Sequence, residues 1–440
     1  MGQDFAATLC DADRKKYRRY ALFSCLGGCV AEVVVDTNVL IILYQKYLGA
    51  ENSKSMFATA MSGLASVLLL IPFAGITDKI GLKKAAWQSC IWAFVAFLVM
   101  GCAPWIFSNS IASSVVLVGL FMYGLTRPLY AAAWFPYMDN FLLPKERAGF
   151  FSGMRFFYTL QNAALILFLG QVLVRFEAPV WLLQLTLLLA GALQLVRYYF
   201  MARLPVNPDE NKGKEEKYNV LKALNISIKN SPLVGFSIYR SMLGFAMASV
   251  MPLTYIYMKT TLHLPDSLIV YVTVAGMFGS VLGYSLAGWF IRRFGSKCTI
   301  LVSHLTYVLA PFILLSSIFF SDIYVMLGLF IAGDFVLGII TAIWGVQSSA
   351  EMLALARPGN KVMAMAFCGT VTAIGGAVSR IFTSIALGAG FFAATWQWGE
   401  VYGTWYHGLI IVFSLLNMLF TILLLVVPAV VPEHEDYYNP

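Results

Sequence analysis

The stretch Asp78-Lys79-Ile80-Gly81-Leu82-Lys83 has a counterpart further along the chain, Arg292-Arg293-Phe294-Gly295-Ser296-Lys297, and their glycines stand 214 residues apart. Pro144-Lys145-Glu146-Arg147 and Pro358-Gly359-Asn360-Lys361 repeat the same offset of 214. Each of the four is a short charged turn between long apolar runs. Two independent loop anchors at one period point to duplication, with two six-helix halves related by an axis along the membrane normal.

Of the 440 residues, 60% are hydrophobic and only 12% charged. A soluble domain carries about a quarter of its residues as Asp, Glu, Lys or Arg. So few charges cannot cover a water-facing surface of this size. The apolar residues fall in runs of the roughly 20 that one bilayer-spanning helix needs. The pattern predicts an all-α polytopic membrane protein with twelve spans near 20–46, 55–77, 85–104, 111–137, 148–174, 178–202, 232–259, 266–291, 298–320, 323–350, 360–390 and 405–431. Residues 1–202 form the first six-helix half and 232–431 the second. Between them the polar, Lys/Glu-rich segment 203–231 reads as a linker, and 432–440 as a tail.

Orientation follows from the basic residues. Five of them, Arg14, Lys15, Lys16, Arg18 and Arg19, precede helix one, and the turns after helices two, four, eight and ten are basic too. The alternate loops hold only Lys46, Lys54, Arg175 and Lys259. By the positive-inside rule both termini and the linker are expected in the cytoplasm. The formal charge of +8 is spread over these loops, which speaks against nucleic acid as a partner. Seven cysteines, odd in number, mostly inside apolar runs and without a CxxC pair, speak against disulfide or metal chemistry. The charged start leads into a run too long for a signal peptide and is expected to be retained.

Ala74-Gly75-Ile76-Thr77-Asp78-Lys79-Ile80-Gly81-Leu82-Lys83-Lys84 resembles the loop 2–3 signature of the major facilitator superfamily, G-x-L-A-D-R-x-G-R-R/K. Ala74 replaces its first Gly and Leu82 a basic residue. The second copy keeps Gly288, Arg293, Gly295 and Lys297 but has Arg292 in the Asp position. The resemblance implies alternating access: two halves rocking about a central site lined by helices 1, 4, 7 and 10. It also implies that Asp78, Gly81 and Lys83 belong to a cytoplasmic gate. Asp78 at a helix end can pair with nearby cations and with the N-terminus of a neighbouring helix. Asp139, Arg147 and Glu351, which close helices four and ten beside basic loops, are expected to form gate salt bridges.

An ionisable side chain at the centre of a membrane helix costs at least about 2.5 kcal/mol, so each one needs a reason. Glu32 and Asp36 in helix one are four apart and share a face. Two buried carboxylates so placed repel, and at least one is expected to bind a proton readily. At about 1.5 Å per residue, Glu32 lies roughly 18 Å and Arg127 of helix four roughly 15 Å from the cytoplasmic ends of their spans. An ion pair between the two helices is therefore feasible. A proton arriving on Glu32 or Asp36 would release Arg127, which couples protons to substrate; a structural bridge locking helix one to helix four is the alternative. Arg127 also resembles the helix-four arginine of proton-coupled members, with Pro128 and Ala131 departing from their pattern. Asp334, in the middle of helix ten, is a further proton or counter-ion candidate. Arg240 lies about 12 Å into helix seven, where it either meets an anionic substrate or snorkels to the interface. Arg380 reads as an outer gate or snorkelling residue. Arg155 is faintly similar to the sodium-coupled glycoside symporters, but that branch's acidic pair in helix two is absent.

Tyr130, Trp134, Tyr239 and Trp344, on the helices that the resemblance implies line the cavity, are candidate substrate-binding aromatics, although interfacial belts use the same residues. Trp396, Trp398 and Trp405 read as an outer interface anchor. His304 is assigned to a peripheral helix. No nucleophile elbow, phosphate loop or metal motif occurs, so neither enzymatic activity nor a cofactor is expected. The reading is a monomeric, proton-coupled symporter of a small polar metabolite in the inner membrane of a bacterium. Arginines outnumber acids four to three among the interior charges named above, which leans towards an anion. The alternatives are a sugar symporter using H+ or Na+, a proton-antiport exporter, and a transport-dead receptor or lipid-translocating protein.

Overall fold

The computed structural model describes residues 6, 8–175, 180–206, 220–356 and 361–426. Among them, eleven helices are long and apolar enough to cross a bilayer, and one bent pair adds a twelfth span. The first span is α1 (Asp11–Asp36) with α2 (Val39–Tyr47). Spans two to six are α3 (Asn52–Ile80), α4 (Leu82–Ile106), α5 (Asn109–Asp139), α6 (Pro144–Arg175) and α7 (Val180–Met201). A short α8 (Val220–Ile228) lies in the linker. The seventh span is α9 (Ser231–Met247) with α10 (Val250–Thr260), and the eighth and ninth run through α11 (Asp266–Leu315). Spans ten to twelve are α12 (Ile323–Leu355), α13 (Lys361–Gly388) and α14 (Trp405–Val426).

Where the sequence predicts one continuous first helix, the structure breaks it. Its two pieces are bent by 59°. The cause is local: Asn38 sits at φ 63°, in the left-handed region that Asn tolerates better than most residues. Its side-chain Nδ2 donates to the Asp36 carbonyl at 2.9 Å, and the Thr37 hydroxyl donates to the Val33 carbonyl at 2.7 Å. The first of these bonds occupies a carbonyl that the interrupted helix frees; the second adds to the Thr37 N–H bond that the Val33 carbonyl already accepts. The seventh span is interrupted in the same part of its half, at Ala248 and Ser249. The repeated turns also have a backbone counterpart, since Gly81 has φ 85° and Gly295 φ 77°. At Gly295 this puts a sharp turn inside α11 and separates two spans.

The halves meet along two seams, α3 against α13 and α6 against α11. Within the second half, spans eight and ten touch backbone to backbone, because a Cβ on Gly279 would lie 2.2 Å from the Phe335 carbonyl oxygen. Such close approach is how helices gain packing where lipid offers no hydrophobic drive. At the end opposite the linker, polar links cross between the halves. The Tyr47 hydroxyl and the Lys259 ammonium both bind the buried Asp266 carboxylate. Ser384 donates to the Ser53 carbonyl at 2.8 Å. Trp396 and Trp398 lie on a small hairpin, β1 (Thr395–Trp398) with β2 (Val401–Thr404).

Candidate functional site

Two cavities enter the middle of the bundle and meet at Arg127. The larger, about 480 Å³, is lined chiefly by the first half: Glu32, Tyr123, Arg127, Tyr130, Trp134 and Arg197, among others. The smaller, about 290 Å³, lies between the halves, with Asp36, Arg127 and Arg380 as its charged walls.

Asp36 is the last residue of α1, so the break in the first span aims its carboxylate into the inter-half cavity. Arg127 meets it with both ends of its fork, Nη1 to Oδ1 at 2.6 Å and Nη2 to Oδ2 at 2.9 Å. The Ser62 hydroxyl accepts a third bond from Nη1 at 3.4 Å. Bidentate charge-assisted pairs of this kind are both stronger and more directional than neutral hydrogen bonds. Roughly half of the Asp36 side chain (46%) stays accessible, so a proton can reach it.

One turn earlier the sequence expects Glu32 against Arg127, and the structure gives it another partner. Arg197 of the sixth span donates from Nη2 to Glu32 Oε1 at 2.7 Å. Its guanidinium also lies 4.1 Å from the Tyr130 ring centroid, a cation–π contact. Tyr130 in turn stacks on Trp134 at 5.4 Å. Gly28 makes room for this arrangement, since a Cβ there would fall 1.5 Å from Arg197 Nε. Sequence reasoning passed over Arg197 because it lies near the linker end of its helix, where a long cation ordinarily reaches the headgroups. The adjacent Gly27 and Gly28 on helix one were the available sign, a flat notch that invites close approach.

Several expected site residues lie elsewhere. Tyr239, Arg240, Trp344 and Asp334 line neither cavity. Asp334 is buried between spans seven, eight and ten, accepting from the Tyr255 hydroxyl at 3.3 Å. Arg240 turns into the second half, where its Nη1 meets the Met352 sulfur at 2.6 Å. Tyr239 and Trp344 pack edge to face at 5.9 Å. The His304 side chain is buried, and its Nδ1 is hydrogen-bonded with the Tyr239 hydroxyl at 2.5 Å. Arg380, assigned from sequence to the outer end, instead lines the inter-half cavity. The cavities draw on spans one to seven and eleven, with Ser89 and Ala93 from the third and Ala248 from the seventh, and the tenth span supplies none of the described lining residues. Helix phase explains these differences: depth is legible from position in a run, whereas the direction a side chain faces depends on how neighbouring helices pack.

Of the expected gate, Gly81 makes the turn already described and Lys83 lies 5.4 Å from the Trp87 ring. Glu351 is buried near the linker end of α12. The side chains of Asp78, Asp139 and Arg147 lie outside the described residues, as do residues 207–219 of the polar linker and the whole tail.

The sequence profile of the Major Facilitator Superfamily matches residues 24–380, from the first span to the eleventh. The chain belongs to the major facilitator superfamily. As a member of that superfamily it is a multi-pass membrane transporter. Two solved structures similar to it are crystal structures of the nucleoside transporter NupG. One, of a point mutant, superposes with TM-score 0.67 at 15% identity, covering 93% of this chain and 98% of that one. The other gives 0.65 at 13% identity with the same coverage. At such identities the likeness is one of fold. No curated protein matches this superfamily member in sequence at a significant level.

Proposed function

We propose that this transporter is a proton-coupled symporter of a small polar metabolite, working by alternating access in the inner membrane of a bacterium with its linker and termini in the cytoplasm. One observation carries the reading: Asp36 and Arg127 form a bidentate pair at the break of the first span, on the wall of the cavity between the halves. A proton on Asp36 removes the charge that holds Arg127. The guanidinium then turns to the solute, so solute and proton are taken up together. The Tyr47–Asp266–Lys259 cluster and the Ser53–Ser384 link serve as the outer gate, closed in this conformation. Asp78, Gly81, Lys83, Asp139, Arg147 and Glu351 form the inner one.

Uptake into proteoliposomes tests this. A pH gradient, acid outside, is expected to drive wild-type protein to concentrate its solute. Asp36→Asn is expected to abolish that accumulation while leaving counterflow exchange intact. If Asp36→Asn concentrates solute as well as wild type does, coupling resides elsewhere.

A second reading makes the solute a nucleoside. Its support is the likeness to NupG together with the stacked Tyr130–Trp134 rings in the larger cavity, a surface on which a base can stack.

A further inference from the structure

We infer that the inter-half cavity is an anion site for a small monocarboxylate, with Arg380 as its standing anchor and Arg127 as its proton-released one. The inference rests on reading Asp36 as the coupling carboxylate.

Arg380 and Arg127 come from opposite halves and face the same 290 Å³ space. Arg127 is matched by a full carboxylate. Arg380 is not: its Nε donates to the Ala248 carbonyl at 3.3 Å, and its Nη1 donates to the Thr59 carbonyl. Ala248 is the C-terminal cap of α9, at the interruption of the seventh span. A helix C-terminus offers only about half a negative charge. The described lining holds no carboxylate besides Asp36, and its remaining residues are small and uncharged. Two guanidinium groups against one carboxylate leave a formal charge of +1 on the site. Arg380, the guanidinium without a carboxylate partner among the lining residues, is the group that an incoming monoanion meets. The guanidinium fork matches the geometry of a carboxylate better than that of a hydroxyl or amide. Bound there, an anion joins span four of one half to span eleven of the other.

The proton makes the charges balance over the cycle. In the empty site, Asp36 is ionised and the two arginines leave +1. In the loaded site, Asp36 has accepted a proton, Arg127 has moved to the anion, and the sum is again +1. One proton with one monocarboxylate thus gives empty and loaded carriers the same site charge. Both reorientation steps then meet the same electrostatic barrier, and transport is electroneutral.

The test uses purified full-length protein and thermal-shift titration with lactate, gluconate and benzoate. Each is set beside its uncharged amide, and adenosine and uridine serve as neutral rivals. At least one acid is expected to protect, its amide about tenfold or more weaker. Arg380→Gln is expected to weaken the acid about tenfold or more, with Arg380→Lys intermediate and both variants monodisperse. If Arg380→Gln does not fold, the acid-to-amide ratio in Arg380→Lys carries the test, and a fall in that ratio is expected. Uptake of the protecting acid should be driven by a pH gradient and be indifferent to a valinomycin-imposed potential. Protection by no acid, equal protection by amides or nucleosides, or unchanged acid affinity in Arg380→Gln overturns the inference. Two outcomes separate it from the function proposed above. A nucleoside concentrated by the pH gradient refutes the anion site and leaves proton coupling standing. An acid that binds and exchanges but is never concentrated refutes the coupling, and with it the balance of charges argued here.

Discussion

The first six spans hold two interior ion pairs lining the cavities, whereas three interior polar groups of the last six face neutral partners. Glu32 faces Arg197 and Asp36 faces Arg127. In the second half, Asp334 faces a tyrosine hydroxyl, Arg240 a thioether and His304 another tyrosine. The two halves share a topology, so the difference is one of chemistry rather than architecture. A pair of opposite charges can be opened by one proton, which frees a cation to act on something else. A carboxyl against a hydroxyl has no cation to release. Duplication therefore supplied two scaffolds, of which the first carries these two ion pairs. The second contributes a fixed arginine, Arg380, to the shared cavity.

The sharpest way to break this comparison is Gly28→Val. The new side chain would occupy the place of the Arg197 guanidinium and separate it from Glu32. Splitting a buried pair costs roughly 3–5 kcal/mol, enough to remove most folded protein, as read by yield and size-exclusion profile. A monodisperse variant with wild-type melting would show that the first half does not depend on its pair. Next in size is Glu32→Gln, expected to destabilise by about 3 kcal/mol because it strands Arg197, which has only 7% of its side chain accessible. Adding Arg197→Met should restore most of that loss in thermal melts. Additive losses in the double variant would mean the two residues are independent. The smallest effect is expected in the second half. Asp334→Asn keeps an acceptor for the Tyr255 hydroxyl and should cost at most about 1 kcal/mol. A loss as large as that of Glu32→Gln would erase the contrast between the halves.

Much of the architecture was legible in the sequence because the bilayer imposes length and charge rules that one chain displays directly. The runs gave twelve spans, and the 214-residue offset gave the two halves. The break at Asn38 was not legible, since nothing in the run of apolar residues marks a left-handed residue. The site was legible in depth but not in direction. Position along helix one is enough to make Glu32 and Asp36 conspicuous. It does not show that a helix six cation, seated in a glycine notch, lies nearer to Glu32 than Arg127 does. In the same way Arg240 and Arg380 were read by distance from a span end. The first turned into the second half and the second into the cavity, because helix rotation is set by neighbours that are remote in sequence.

The turns at Gly81 and Gly295 share a further property. Their φ angles of 85° and 77° accompany ψ angles of 149° and 171°, a region that is essentially closed to L-residues. Yet among the described residues, the immediate chain neighbours aside, no atom stands within 4 Å of where a Cβ would be at either site. Bulk is tolerated there and handedness is not. An L-alanine at either corner would have room for its methyl group but would strain the backbone that joins the two helix ends. The duplicated motif is thus a pair of chiral locks, set by torsion in open space.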